Sequence, residues 1–197
     1  MSAKAVLLAA GCALALGATA ARAQEELPVC FNYGCQSLAM VRLEPAQLKR
    51  VGSLFARIDS AEAERAAIAA AMAWLYAYAG EQTPTWLDRG GNLDDDGVDG
   101  RMDCLDHSTN TTTWLALIER RGWVRYHAVA EPVQRGKLLS VHWSARVLEK
   151  ATGAQWVVDS WFLDPGYPAT IYPLDEWMDG ARPPGTEIFR WQQSNAR

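Results

Sequence analysis

VHWSARVLEKATGAQWVVDSW, residues 141–161, consists of two alternating runs around a turn. Successive side chains of a strand point to opposite sides. In the first run Val141, Trp143, Ala145 and Val147 therefore share one face, and His142, Ser144 and Arg146 the other. In the second run Trp156 and Val158 line up with Ser160, while Val157, Asp159 and Trp161 take the opposite face. A four-residue hairpin loop over 149–152 pairs Leu148 with Gly153. Carried down the ladder, that register sets His142 directly opposite Asp159, with Cβ atoms roughly 4.5–5.5 Å apart. It also sets Trp143 against Val158 and Ala145 against Trp156, a surface suited to a core. A one-residue slip would lose both results together.

Working outward, strands are expected at 123–132, 138–148 and 154–161, followed by a proline-rich coil and a short edge element at 188–191. Upstream, Leu48, Val51, Leu54, Phe55 and Ile58 recur at helical spacing and predict a first helix over 45–57. A second follows over 61–80, AEAERAAIAAAMAWLYAYAG, capped by Asp59 or Ser60 and ended by Gly80. Ile68, Met72, Leu75 and Ala79 form its core stripe. A third is expected over 104–121, with Leu105, Trp114, Leu115 and Ile118 buried. Its opening, CLDHSTNTTTW, is rich in Ser and Thr, which compete for backbone hydrogen bonds, so tertiary packing has to hold it. Helices first and strands later indicate an α+β domain, with N-terminal helices and a central helix packed on an antiparallel β-sheet.

The two ends of the chain bound its setting. Lys4, the apolar run 5–21 and Ala21-Arg22-Ala23 predict a signal peptide over 1–23, cut before Gln24. The expectation is a periplasmic or secreted protein with a single domain over 24–197. No transmembrane anchor is expected, because the apolar core is short and no stop-transfer pattern follows. Cleavage removes Cys12 and leaves Cys30, Cys35 and Cys104 of the four cysteines. Cys30 and Cys35 flank an easily bent Asn32-Tyr33-Gly34 and are expected to form a disulfide, leaving Cys104 as a lone thiol. The formal charge of −4 becomes −6 once Lys4 and Arg22 are gone, and no Lys/Arg cluster stands out, which argues against a nucleic-acid partner.

A lone thiol where a Gly/Asp-rich loop becomes a helix has chemical meaning. Orphan N–H groups and the helix dipole at that end favour a thiolate and offer an oxyanion donor. His142 is then placed to take the thiol proton, and Asp159 to fix the imidazole tautomer. His107, one turn beyond Cys104, is the competing base and is expected to be structural or to line the cleft; His127 is expected to be a plain strand residue.

MDCLDHSTNTTTWLALIERRGW, followed by HWSARVLE and WVVDSWF, resembles the core of the transglutaminase-like superfamily, most of all its bacterial transglutaminase-like cysteine proteinases. The resemblance spans about residues 86–165. It implies a papain-like/transglutaminase-like core, with the nucleophile at Cys104, the base at His142 and the orienting acid at Asp159. It also implies a thiol hydrolase cleaving peptide or isopeptide bonds of a protein or peptide substrate through an acyl-enzyme, with no cofactor required. Two alternatives share the same residues: a glutamine–amine acyltransferase and a catalytically silent binding module.

One further motif precedes Cys104. Asn92, Asp94, Asp96, Gly97 and Asp103 occupy positions 1, 3, 5, 6 and 12 of a calcium-loop spacing. Position 12 carries Asp instead of Glu, and Asp99 occupies position 8, which is normally apolar. A solvated acidic loop is the plainer reading, and Ca2+ at Asn92, Asp94, Asp96 and Asp103 is the sharper one.

Overall fold

The computed structural model describes residues 24–137 and 140–186. The leader at 1–23 and the edge element expected at 188–191 lie outside them. The chain begins with a hairpin, β1 (Glu25–Phe31) and β2 (Ser37–Leu43), in which Cys30 pairs with Leu38 and Val29 with Ala39. Leu27, Val29 and Phe31 of β1, with Val41 and Leu43 of β2, point into the core. This hairpin is not visible in the periodicity, because β2 also carries Leu38 and Met40 on its outer face, where both are exposed.

Helix α1 (Pro45–Ser53) starts with proline at its first position, and the Gln47 side chain accepts the Glu44 backbone N–H at 2.9 Å. It stops short of the expected Arg57, and Phe55 beyond its end stacks on Trp123. Helix α2 (Ala61–Gly80) matches its expected span. The Ser60 hydroxyl caps it, accepting from the Ala63 N–H at 3.1 Å, and Ile68, Met72, Leu75 and Ala79 are buried as the stripe predicts.

Helix α3 (Cys104–Arg120) crosses the middle of the molecule, touching β1 and the second sheet. Its polar opening is held by contacts to other elements. Asn110 brackets Cys30, accepting its N–H at 2.7 Å and donating to its carbonyl at 2.8 Å. Trp114, Leu115, Leu117 and Ile118 are buried, but Leu105 is 39% exposed, contrary to the expected core position. It lies in the first turn, where the helix emerges from the surface loop.

The second sheet is antiparallel in the order β3 (His127–Lys137), β4 (Ser140–Glu149), β5 (Gln155–Asp159) and β6 (Thr170–Pro173), followed by α4 (Leu174–Met178). The sequence register needs correction here. Leu148 pairs with Gln155 and Ala145 with Val158, two residues along from the expected alignment. The loop is longer than four residues: Gly153, at φ 74°, donates to the Glu149 carbonyl at 2.8 Å, and the Glu149 N–H reaches the Ala154 carbonyl at 2.8 Å. A slip of two preserves every face, since the strand period is two. His142 and Asp159 therefore remain on one side, as diagonal neighbours, within reach of a long side chain.

The architecture is α+β, with N-terminal and central helices packed against two small antiparallel sheets instead of the one expected. Among the described residues no helix is long and apolar enough to cross a membrane.

Candidate active site

Three elements converge on the first turn of α3. From the N-terminal side comes the tip of the first hairpin, where Cys30 and Cys35 form the expected disulfide. Asn32, Tyr33, Gly34 and Cys35 all have positive φ, and that tight left-handed turn aims successive N–H groups at the helix start. The Gly34 N–H donates to Asp103 Oδ2 at 3.0 Å and the Cys35 N–H to Asp106 Oδ1 at 2.5 Å. Asp103 caps α3, accepting the Asp106 N–H at 2.8 Å, while Asp106 Oδ2 accepts the Asp103 N–H at 3.2 Å. Burial first, and the Asp103 charge second, push the Asp106 carboxyl up to about 6.

The loop preceding α3 is fixed at its base. Asp88, fully buried, accepts the Met102 N–H at 2.9 Å and binds His107 Nε2 at 2.9 Å. The other His107 nitrogen meets Ser160 Oγ at 3.0 Å, and Ser160 also contacts Thr111 and Tyr76. His107 is thus committed to a buried polar network tying the loop, α3 and the end of β5 together. Two glycines permit the close packing: a Cβ at Gly100 would lie 2.1 Å from the Pro84 carbonyl oxygen, and one at Gly90 2.4 Å from the Leu163 backbone.

The residues expected to bind calcium are used variously. Asp103 is the helix cap, and Asn92 donates to both oxygens of Asp95, which in turn pairs with Arg101 at 2.8 Å. Asp94 and Asp96 are exposed. Among the described residues one trio brings metal-ligating atoms within 4.8 Å of one another: Cys30, Cys35 and Asp106. Both of its sulfurs are occupied by the disulfide.

Cys104 is the first residue of α3, half-buried and, among the described residues, the free cysteine. Its Sγ approaches the Val141 carbonyl on β4 at 3.8 Å. The next residue of β4 is His142, whose Nε2 hydrogen-bonds Asp159 Oδ2 at 2.7 Å. That contact leaves Nδ1 as the ring atom available to a sulfur. Burial is the largest influence on His142 and pulls its pKa down. The Asp159 charge and hydrogen bond, with hydrogen-bonding and charge interactions from Cys104, outweigh it and push the imidazole up to about 9.

The surroundings of His142 were not foreseen. Trp161, Phe162 and Trp177 enclose its ring at centroid distances of 4.9, 5.4 and 5.5 Å. Asp159 is buried beneath them, with Oδ1 accepting the backbone N–H of Trp161 at 3.2 Å. The signal for Trp161 and Phe162 was their adjacency to Asp159; Trp177 gave none, because it returns to the site only through β6 and α4.

The third histidine belongs elsewhere. His127 is buried against Glu64, with Nδ1 at 2.9 Å from Oε1, and Glu64 also accepts the backbone N–H groups of Arg125, Tyr126 and His127. It joins the start of α2 to the start of β3, far more than a plain strand residue does. Searches of protein-family models, curated proteins and solved structures find no match for this chain.

Proposed function

We propose that this protein is an exported thiol hydrolase that cleaves peptide or isopeptide bonds through Cys104, His142 and Asp159, on a transglutaminase-like core. The observation that carries the proposal is the 2.7 Å bond from His142 Nε2 to the buried Asp159, with the Cys104 sulfur 3.8 Å from the carbonyl of Val141, the residue before His142 on β4. Because the His142 ring keeps its proton up to about 9, sulfur attacks the carbonyl carbon as a thiolate paired with the imidazolium, which then gives its proton to the departing amine as the C–N bond breaks. Water next attacks the thioester carbon, giving a proton to His142, and a carboxylic acid leaves as the C–S bond breaks and the thiolate–imidazolium pair re-forms. Asp159, bonded to Nε2, orients the ring so that Nδ1 faces the sulfur. As the first residue of α3, Cys104 also carries an N–H with no intrahelical acceptor, suited to the oxyanion. The Cys30–Cys35 disulfide supports an oxidising compartment, periplasmic or extracellular.

The test is mass spectrometry of the mature protein after iodoacetamide treatment at mildly acidic pH, together with turnover of peptide and isopeptide substrates. The expectation is rapid alkylation confined to Cys104, and hydrolysis that Cys104→Ala abolishes. Alkylation no faster than that of a simple thiol would assign the chain to the silent binding modules. Product found on an added amine in place of water would make it an acyltransferase.

A further inference from the structure

One of the rings around His142 also holds its carboxylate. Trp177 is fully buried, and its indole N–H donates to Asp159 Oδ2 at 2.8 Å. That oxygen is the one His142 reaches at 2.7 Å. The carboxylate is therefore pinned by donors from three places: β4, α4 and the chain just after β5. Helix α4 (Leu174–Met178) is too short to stand alone, and Arg135 clamps it. The Arg135 guanidinium donates to the carbonyl oxygens of Trp177 and Ala181 and lies over the Trp177 ring at 4.4 Å. Arg135 is also the β3 partner of His142, so the contacts close a ring: His142, Asp159, Trp177, Arg135 and back across the ladder.

We propose that Trp177 is a positioning residue: clamped by Arg135, its indole N–H holds Asp159 in the rotamer that orients His142 toward Cys104. Its catalytic meaning rests on the hydrolase reading, but the positioning itself is measurable in the resting protein. The titratable and charged groups around His142 are Asp159 from β5, Cys104 from α3 and Arg135 from β3. Tyr172 of β6 and Arg182 act on Arg135 in turn. Without the indole donor Asp159 keeps His142 on Oδ2 and the Trp161 backbone N–H on Oδ1, a looser hold in which the carboxylate turns and the imidazolium loses part of its support.

The experiment is an NMR titration of the His142 ring in the intact mature protein, in Trp177→Phe, and in a protein carrying 3-benzothienylalanine at position 177. That analogue keeps the bicyclic ring and replaces the N–H with sulfur. The midpoint, near 9 in the unaltered protein, is expected to fall by about half a pH unit or more in both variants. Turnover should lose kcat with KM unchanged. A midpoint that stays or rises in a folded variant shows that Asp159 keeps its place without the indole, and overturns the proposal. So does loss of cooperative melting in both variants, which would make Trp177 a core residue first. A falling midpoint in a protein inert toward every peptide leaves the positioning intact and sinks the hydrolase reading; a working hydrolase whose midpoint ignores position 177 does the reverse.

Discussion

On the proposed hydrolase reading, Cys104, His142 and Asp159 divide the chemistry in ways that substitutions separate. Cys104→Ala removes the nucleophile and one small group at a half-buried position, so turnover should vanish while the melting temperature stays close to that of the parent. His142→Ala should cost about 10²–10⁴-fold in kcat from lost proton transfer. Asp159→Asn keeps the volume and removes the charge that supports the imidazolium, so the rate should fall and the His142 midpoint should drop toward 6.5. Because His142 must deliver a proton to the leaving amine, kcat/KM should decline on the alkaline side with a midpoint near 9. A flat profile through that pH would remove His142 as the acid. The positions of these residues were legible, Cys104 at a helix start and His142 and Asp159 on one face of two strands, because each carries its own local signal. Even with the register two residues out, parity kept the pair on one face. Trp177 and Arg135 were not legible, since no local pattern states that a five-residue helix folds back onto Asp159.

At the scale of elements, the first hairpin acts as a brace for the helix that Cys104 begins. Its tip supplies the Gly34 and Cys35 N–H groups to Asp103 and Asp106, and the disulfide holds that tip in its left-handed course. Replacing Cys30 and Cys35 together by Ser should destabilise the fold by about 2 kcal/mol, the loop-closure entropy of so short a ring. It should also slow Cys104 alkylation, because the cap of α3 loosens with the tip. Unchanged alkylation in a destabilised double variant would confine the brace to stability. The neighbouring acidic loop offers a separate test: if Asn92, Asp94 and Asp96 take up calcium, chelator-treated protein should gain melting temperature at millimolar Ca2+ and not at equal Mg2+. The sequence concealed the hairpin because β2 is apolar on both faces, and placed the helices well because α2 and α3 have clear caps and stripes.

For the whole molecule, three groups with shifted pKa values govern how stability follows pH, and their signs differ. Burial alone would raise the Glu64 pKa; the N–H groups of Arg125, Tyr126 and His127, with the His127 ring, outweigh it and lower the folded value. Glu64 therefore contributes stability in full above its unfolded pKa of about 4.3, and that contribution is lost as pH falls through the folded value. His142 is raised to about 9, so its contribution is complete below about 6.5 and disappears as pH rises through 9. Asp106, raised to about 6, also binds its proton more tightly when folded, and weakens the fold as pH climbs from about 4 through 6. Above 6 only the His142 limb remains among the three, which isolates it. Denaturant melts of the protein should show stability declining between pH 6.5 and 9. His142→Gln should flatten that decline while leaving the acid limb in place, and Glu64→Gln should lower stability at neutral pH and flatten the acid limb instead. A decline that persists unchanged in His142→Gln would mean that the imidazolium is not bound to Asp159 in the folded protein, and the orienting role proposed for Asp159 would fall with it.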